Sequence, residues 1–171
     1  TPKKIDQLLA SGLHSATISL DGFEDQHNWM RGVPDGFKYA SKAVEILAKE
    51  PSIKFDVVTC ANNRNYDSLE EFKEYLISLG LKNWRIFTVF PVGRAAQDPD
   101  LQLSKERFRG LMEFIQKTRK EGRIIASYGC EGFLGEYEGQ VRDHLFTCQA
   151  GLSISSVMID GSVSACASIR S

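Results

Sequence analysis

Strand and helix patterns alternate along most of this sequence, and no other feature restricts its fold so strongly. Ile5, Leu8 and Leu9 mark a short helix closed by Gly12, and Ala16 to Leu20 is a strand broken by Asp21-Gly22. Phe37, Ala40, Val44 and Leu47 recur on one helical face until Pro51, which pushes the residue before it out of the helical region. Ile53 to Cys60 is the next strand. Ser68-x-x-Glu71 reads as a capping box for a helix carrying Leu69, Phe72, Leu76 and Leu79, with Gly80 as its left-handed stop. Trp84 to Phe90 is a third strand, ended by Pro91. Ser104 then caps a long helix with Phe108, Leu111, Met112 and Ile115, closed at Gly122, and Ile124 to Tyr128 is a shorter strand. Strands joined through helices imply right-handed crossovers and a parallel sheet, an α/β fold. The repeats amount to about three and a half β-α units, too few to close an eight-stranded barrel.

The pattern changes after Tyr128. Gly129, Gly132, Gly135 and Gly139 interrupt the chain, and a boundary is expected across 130–147. Beyond it stand Cys148, twelve residues, Gly161, four residues and Cys166. Between the cysteines, the apolar run Ile154 to Ile159, Asp160-Gly161 and Val163 to Cys166 spell a β-hairpin with a tight type I′ turn. One thiol would precede the first strand and the other would sit on the second. Two thiolates so presented are half of a four-cysteine iron–sulfur or zinc site. The sequence therefore reads as severed between two ligands and their partners. Thr1-Pro2 leads directly into a helical pattern, so the start also reads as internal to a longer protein.

Charge and cysteine usage narrow the function. The formal net charge is −1 with both signs scattered, which argues against the basic stripe of a nucleic-acid binder. No apolar run is long enough to span a membrane. The four cysteines, at 60, 130, 148 and 166, never approach metal-motif spacing. With no export signal, reduced thiols or metal ligands are expected over disulfides, and a cytoplasmic location with them.

In parallel sheets, ligands bind at the carboxyl ends of the strands. The first strand delivers Ser19-Leu20-Asp21-Gly22, with His27 and Arg31 in the loop beyond; the second delivers Thr59 to Asn63; the third delivers Phe90-Pro91-Val92-Gly93-Arg94. A hydroxyl at Ser19, a carboxylate at Asp21 and the forks of Arg31 and Arg94 suit a polar ligand carrying a carboxylate and a ribose. The same residue types also cap strands and turns, so this reading stands beside a purely structural one.

Three segments resemble one family in its own order. Ser19-x-Asp21-Gly22 with His27 and Arg31 is similar to the fourth-strand segment of radical S-adenosylmethionine enzymes of the SPASM-containing group. Pro91-Val92-Gly93-Arg94-Ala95 resembles their sixth-strand exit, and Cys148-x12-Gly161-x4-Cys166 resembles the opening of their auxiliary-cluster domain. The resemblance implies the second half of a partial (β/α)6 barrel over residues 1–129, a linker over 130–147, and the start of a SPASM-like domain over 148–171.

It also implies chemistry. S-adenosylmethionine, reduced at a 4Fe–4S cluster, would yield a 5′-deoxyadenosyl radical that abstracts hydrogen from a peptide, protein or small-molecule substrate, with flavodoxin or ferredoxin as reductant. Ser19, Asp21 and Arg31 would lie on the cofactor's ribose and carboxylate side, Val92 against its adenine, and Cys148 and Cys166 on the first auxiliary cluster. The family's Cys-x3-Cys-x2-Cys, which holds the catalytic cluster, is absent from the sequence, as are the later SPASM cysteines. The isolated chain is thus expected to be inactive, and the catalytic residues stay unassigned. Ala167 stands where sulfatase-maturating members carry an Asp, which counts against that activity. A metal-stapled α/β binding module and an ordinary parallel α/β hydrolase or isomerase are the alternatives. The edge at Ala16–Leu20 and an uncovered apolar face predict dimerisation through that edge or low stability.

Overall fold

The computed structural model describes residues 2–129 and 132–166. Cys130, Ala167 and the side chain of Arg94 lie outside the described residues.

Among the described residues, five α-helices and a four-stranded sheet make the body of the chain. The helices are α1 (Pro2–Ala10), α2 (Glu24–Arg31), α3 (Gly36–Leu47), α4 (Leu69–Ser78) and α5 (Lys105–Glu121). The strands are β1 (Ser15–Ser19), β2 (Lys54–Ala61), β3 (Asn83–Thr88) and β4 (Ile125–Tyr128), all parallel and in the spatial order β1-β2-β3-β4. Spatial order follows chain order, as in a singly wound barrel segment, rather than reversing as in a doubly wound sheet. The register sets Ser19 beside Val58, Val58 beside Arg85, and Arg85 beside Ser127.

The two faces of the sheet differ. Val57, Ala61, Trp84, Ile86 and Ala126 point one way and are buried against Val44, Phe72, Leu76, Leu111 and Ile115 of α3, α4 and α5. Ser19, Val58, Cys60, Arg85, Phe87 and Ser127 alternate onto the other face and remain half-buried. Helices thus cover a single face, an architecture compatible with part of an α/β barrel. Thr17, Asp56 and Arg85 lace the open face near its amino end. Thr17 donates to Asp56 Oδ1 at 2.8 Å, and Arg85 pairs with Asp56 Oδ2 while also donating to Thr17. At the carboxyl end, the Phe87 ring fills the place where a Gly129 side chain would stand.

Two local expectations are corrected. Ser68 precedes α4 but makes no cap: its hydroxyl donates to the Asn65 carbonyl at 3.0 Å and accepts from Gln26 Nε2 at 3.1 Å. The tertiary partner outcompetes the local one, and the helix starts from a 3-10 turn, Tyr66–Ser68, instead. His27 and Arg31, expected in a loop, lie on α2. The polar octapeptide of α2 shows no apolar period, yet the Gln26 side chain accepts the Phe23 N–H at 2.8 Å, acidic residues occupy the first turn, and Gly32 closes the last in a left-handed conformation. By contrast, Ser104 does cap α5, accepting the Arg107 N–H at 3.2 Å.

Residues 132–147 are more ordered than a linker composition suggests. Val141 is fully buried, and its carbonyl accepts the Tyr128 N–H at 2.7 Å beside edge strand β4. Arg142 lies 3.1 Å from Glu138, both side chains largely buried, and donates to the carbonyls of Gly129 and Gly132. The Glu138 carboxylate accepts the N–H groups of Leu134 and Phe146.

A second, antiparallel pair follows: β5 (Ser156–Val157) and β6 (Val163–Ser164). Its turn is not type I′. Gly161 alone has positive φ, and the bonds Gly161 N–H to Met158 O and Met158 N–H to Ser162 O enclose the three-residue loop 159–161. Asp160 instead uses its carboxylate to accept from Ser162. The strands are also shorter than expected, because a tight turn over 149–154 takes up the start of the apolar run. Neither cysteine lies on a strand: Cys148 precedes that turn and Cys166 follows β6.

Candidate functional site

The end of β1 is organised around one buried carboxylate. Asp21 is completely buried, one residue past Leu20. Its Oδ1 accepts the Cys60 N–H of β2 at 2.9 Å and its Oδ2 accepts Nε–H of Arg31 at 2.6 Å. Its own N–H donates to His27 Nδ1 at 3.1 Å, and its carbonyl accepts Asn65 Nδ2 at 2.8 Å. Burial pushes this carboxyl up, but the hydrogen bonds it accepts and the Arg31 guanidinium outweigh it and hold the pKa below the ordinary aspartate value.

His27 is itself buried, and its Nδ1 lies near both the Asp21 N–H and, at 3.4 Å, the Asp21 Oδ2. One nitrogen cannot accept from the first and donate to the second. The shorter contact to the amide makes Nδ1 the acceptor of that N–H.

Gly22 completes the turn. Its φ is +116°, and a Cβ there would lie 2.4 Å from Gln26 Oε1, the atom that caps α2. So the Asp21-Gly22 pair is required twice over, by a buried anion and by a close approach.

Asn65 ties this turn to β2. It donates to the Asp21 and Cys60 carbonyls at 2.8 and 2.9 Å and accepts the Asn62 N–H at 2.9 Å. Farther out, Asn63 accepts the Arg107 Nη1 donor on its carbonyl and donates to the carbonyls of Pro99, Asp100 and Gln102. Arg64 stacks on Trp29 at 4.0 Å and pairs with Asp100 at 2.9 Å. The loops after β1, β2 and β3 are therefore fastened to one another along the carboxyl edge. Asn63 was expected at this strand exit, whereas Asn65 escaped the sequence reading; the Asn-rich run Asn62-Asn63-Arg64-Asn65 was the available signal.

Ser19, Asp21 and Arg31 gather at the end of β1. Ser19 is half-buried on the open face. The Arg31 side chain is 35% exposed, and beyond its bond to Asp21 it makes no hydrogen bond to any described residue. A guanidinium held by Nε presents its outer edge to solvent, a fork suited to a ligand carboxylate. Asp21 has no such freedom, since both its oxygens are used inside the protein.

Val92 is exposed two strands away, past the end of β3, about 10 Å along the sheet by ordinary strand spacing. Nearby, Thr88, Phe90, Pro91, Gln102, Phe108 and Tyr128 line a cleft of about 520 Å³. Cys148 is exposed and Cys166 half-buried, and the place of a Gly151 Cβ lies 3.5 Å from Ala165 Cβ, which brings their two segments together. Among the described residues, no third His, Cys, Asp or Glu joins them in a cluster able to hold a metal ion. Among those residues, too, no helix is long and apolar enough to cross a membrane.

No protein-family model matches the chain. Curated relatives do. The AdoMet-dependent heme synthase of Nitratidesulfovibrio vulgaris is 28% identical over 121 residues, 70% of this chain and 33% of the relative. The enzyme of the same name from Methanosarcina barkeri is 25% identical over 131 residues, 76% of this chain and 37% of the relative. The sporulation killing factor maturation protein SkfB of Bacillus subtilis is 24% identical over 148 residues, 79% and 36% respectively. The chain thus spans about a third of the length of the relatives it matches.

Proposed function

We propose that this chain, whose relatives of both names are radical S-adenosylmethionine enzymes, supplies the part of such an enzyme that receives the cofactor's carboxylate and ribose. The observation that carries the reading is the Arg31 guanidinium, fixed through Nε by buried Asp21 and open at its outer edge, beside the half-buried Ser19. Donor chemistry and placement fit an amino-acid carboxylate and a sugar hydroxyl at the carboxyl end of a parallel sheet. When bound, S-adenosylmethionine and its iron–sulfur cluster would supply hydrogen-abstracting radical chemistry. The chain's own contribution is to orient the cofactor and keep water from its reacting end.

Residues 1–129 then form the later half of a partial (β/α)6 barrel, 130–147 a connection, and 148–171 the first hairpin of a SPASM-like domain. Cys148 and Cys166 would give two of the ligands of an auxiliary 4Fe–4S cluster, and Val92 an apolar contact for adenine. Cys-x3-Cys-x2-Cys does not occur in these residues, so the 171 residues alone should not cleave the cofactor. The substrate is a peptide, a protein or a small molecule; the relatives' names refer to heme and to a sporulation killing factor. A small flavodoxin or ferredoxin is the expected electron donor.

Anaerobic reconstitution of the complete reading frame, followed by iron and sulfide counts and assay of 5′-deoxyadenosine with a chemical reductant, tests this. Formation of 5′-deoxyadenosine, lost in Arg31→Ala and absent from the 171-residue chain alone, is the expected result. Bound zinc with no 5′-deoxyadenosine would point instead to a metal-stapled binding module.

A further inference from the structure

We infer that Asp21 is a positioning residue that aims Arg31 at a ligand carboxylate and never touches the ligand itself. The inference rests on the cofactor reading above for the identity of that ligand, though not for the coupling between the two residues. Asp21 is completely buried, and its two oxygens are spent on the Cys60 N–H and on Arg31 Nε–H. A direct ligand contact would require breaking one of them.

The geometry fixes which edge of the guanidinium faces out. Held at Nε by a carboxylate that is itself anchored to β2, Arg31 cannot swing freely from the α2 terminus. Its terminal nitrogens, with no partner among the described residues, form the fork that remains. Two further groups hold the anchor. His27 accepts the Asp21 N–H, and Asn65 binds the Asp21 carbonyl, so the residue is gripped at backbone and side chain together. Since α2 carries both His27 and Arg31 on successive turns, the helix and the strand end are set in one register by a single aspartate. Lysine could not replace Arg31, because one ammonium cannot serve both the buried carboxylate and an outer ligand with fixed geometry.

The test follows Arg31 Nε–H by NMR in the isotopically labelled full chain, assigned by its loss in Arg31→Lys. A through-hydrogen-bond coupling between Arg31 Nε and Asp21 Cγ should be present in the unmutated protein. Exchange of that proton should be at least about tenfold slower than for exposed Arg109, and Asp21→Asn should abolish the protection. With S-adenosylmethionine as probe, the Arg31 signal should shift in the unmutated chain and shift about tenfold less readily in Asp21→Asn. Decarboxylated S-adenosylmethionine should behave alike in both. Absence of the coupling overturns the inference without any variant, and so does an undiminished S-adenosylmethionine response in Asp21→Asn. If the coupling is present but S-adenosylmethionine leaves Arg31 unmoved, the positioning relation stands and the cofactor reading falls.

Discussion

The indole N–H of Trp84 donates to the Thr59 hydroxyl at 2.8 Å, and that hydroxyl donates onward to the Leu20 carbonyl at 2.6 Å. All three residues are buried, so this short relay runs through the core from β3 across β2 to the end of β1. It holds the backbone one residue before Asp21. Thr59→Val keeps the shape but leaves the indole N–H and the Leu20 carbonyl without partners. A loss of about 1–3 kcal/mol is expected in urea unfolding, with a blue shift of Trp84 fluorescence as its N–H loses its acceptor.

Asp21 makes stability depend on acid. Its pKa is lowered in the folded chain relative to the unfolded one, so its contribution is fully present above about pH 4, the unfolded aspartate range. That contribution is lost as the pH falls through the folded value. Thermal unfolding between pH 6 and 2.5 should therefore show a smaller acid-induced drop in Asp21→Asn than in the unmutated chain; identical slopes would count against the buried anion.

Gly129 has no side chain because the Phe87 ring occupies the space. A Cβ there would approach the ring to 2.2 Å. Gly129→Ala should cost about 1–3 kcal/mol by overpacking, and pairing it with Phe87→Val should recover part of that loss. A double-mutant cycle by chemical denaturation measures the coupling; simple additivity would refute the steric account.

The buried pair Arg142–Glu138 should matter more than its glycine-rich surroundings suggest. Removing Glu138 strands a guanidinium and two backbone N–H groups, those of Leu134 and Phe146. Glu138→Ala is expected to cost about 3 kcal/mol. Limited proteolysis should then cut within 132–147 first.

The parallel sheet was legible because β-branched and apolar runs alternate with helical stripes, and each strand falls within a residue or two of its expected place. The site was legible as a place, the carboxyl ends of the strands, and less so as a mechanism. Asp21 resembles a ligand contact in sequence, and only burial shows that its oxygens are consumed internally. Helix α2 was missed because its signals are Gln26, Gly32 and the anchor His27, none of them periodic. Ser68 has the spacing of a cap, yet Gln26, 42 residues away along the chain, claims its hydroxyl. Nothing in the sequence marks Arg142 and Glu138 as a buried pair. The hairpin was found, but its turn type was decided by Ser162 supplying Asp160 with bonds that a type I′ turn does not need.

Asn63 has a thermodynamic consequence. The connection from β3 to α5 runs through residues 89–104, long enough to carry a large entropy of ordering if left free. Asn63 and Arg64 pin it near its α5 end, at Pro99, Asp100 and Gln102, and so shorten the stretch left free. That ordering is completed during folding. A ligand arriving at the carboxyl edge meets a rim whose freedom has already been removed, and more of its contact energy can appear as affinity.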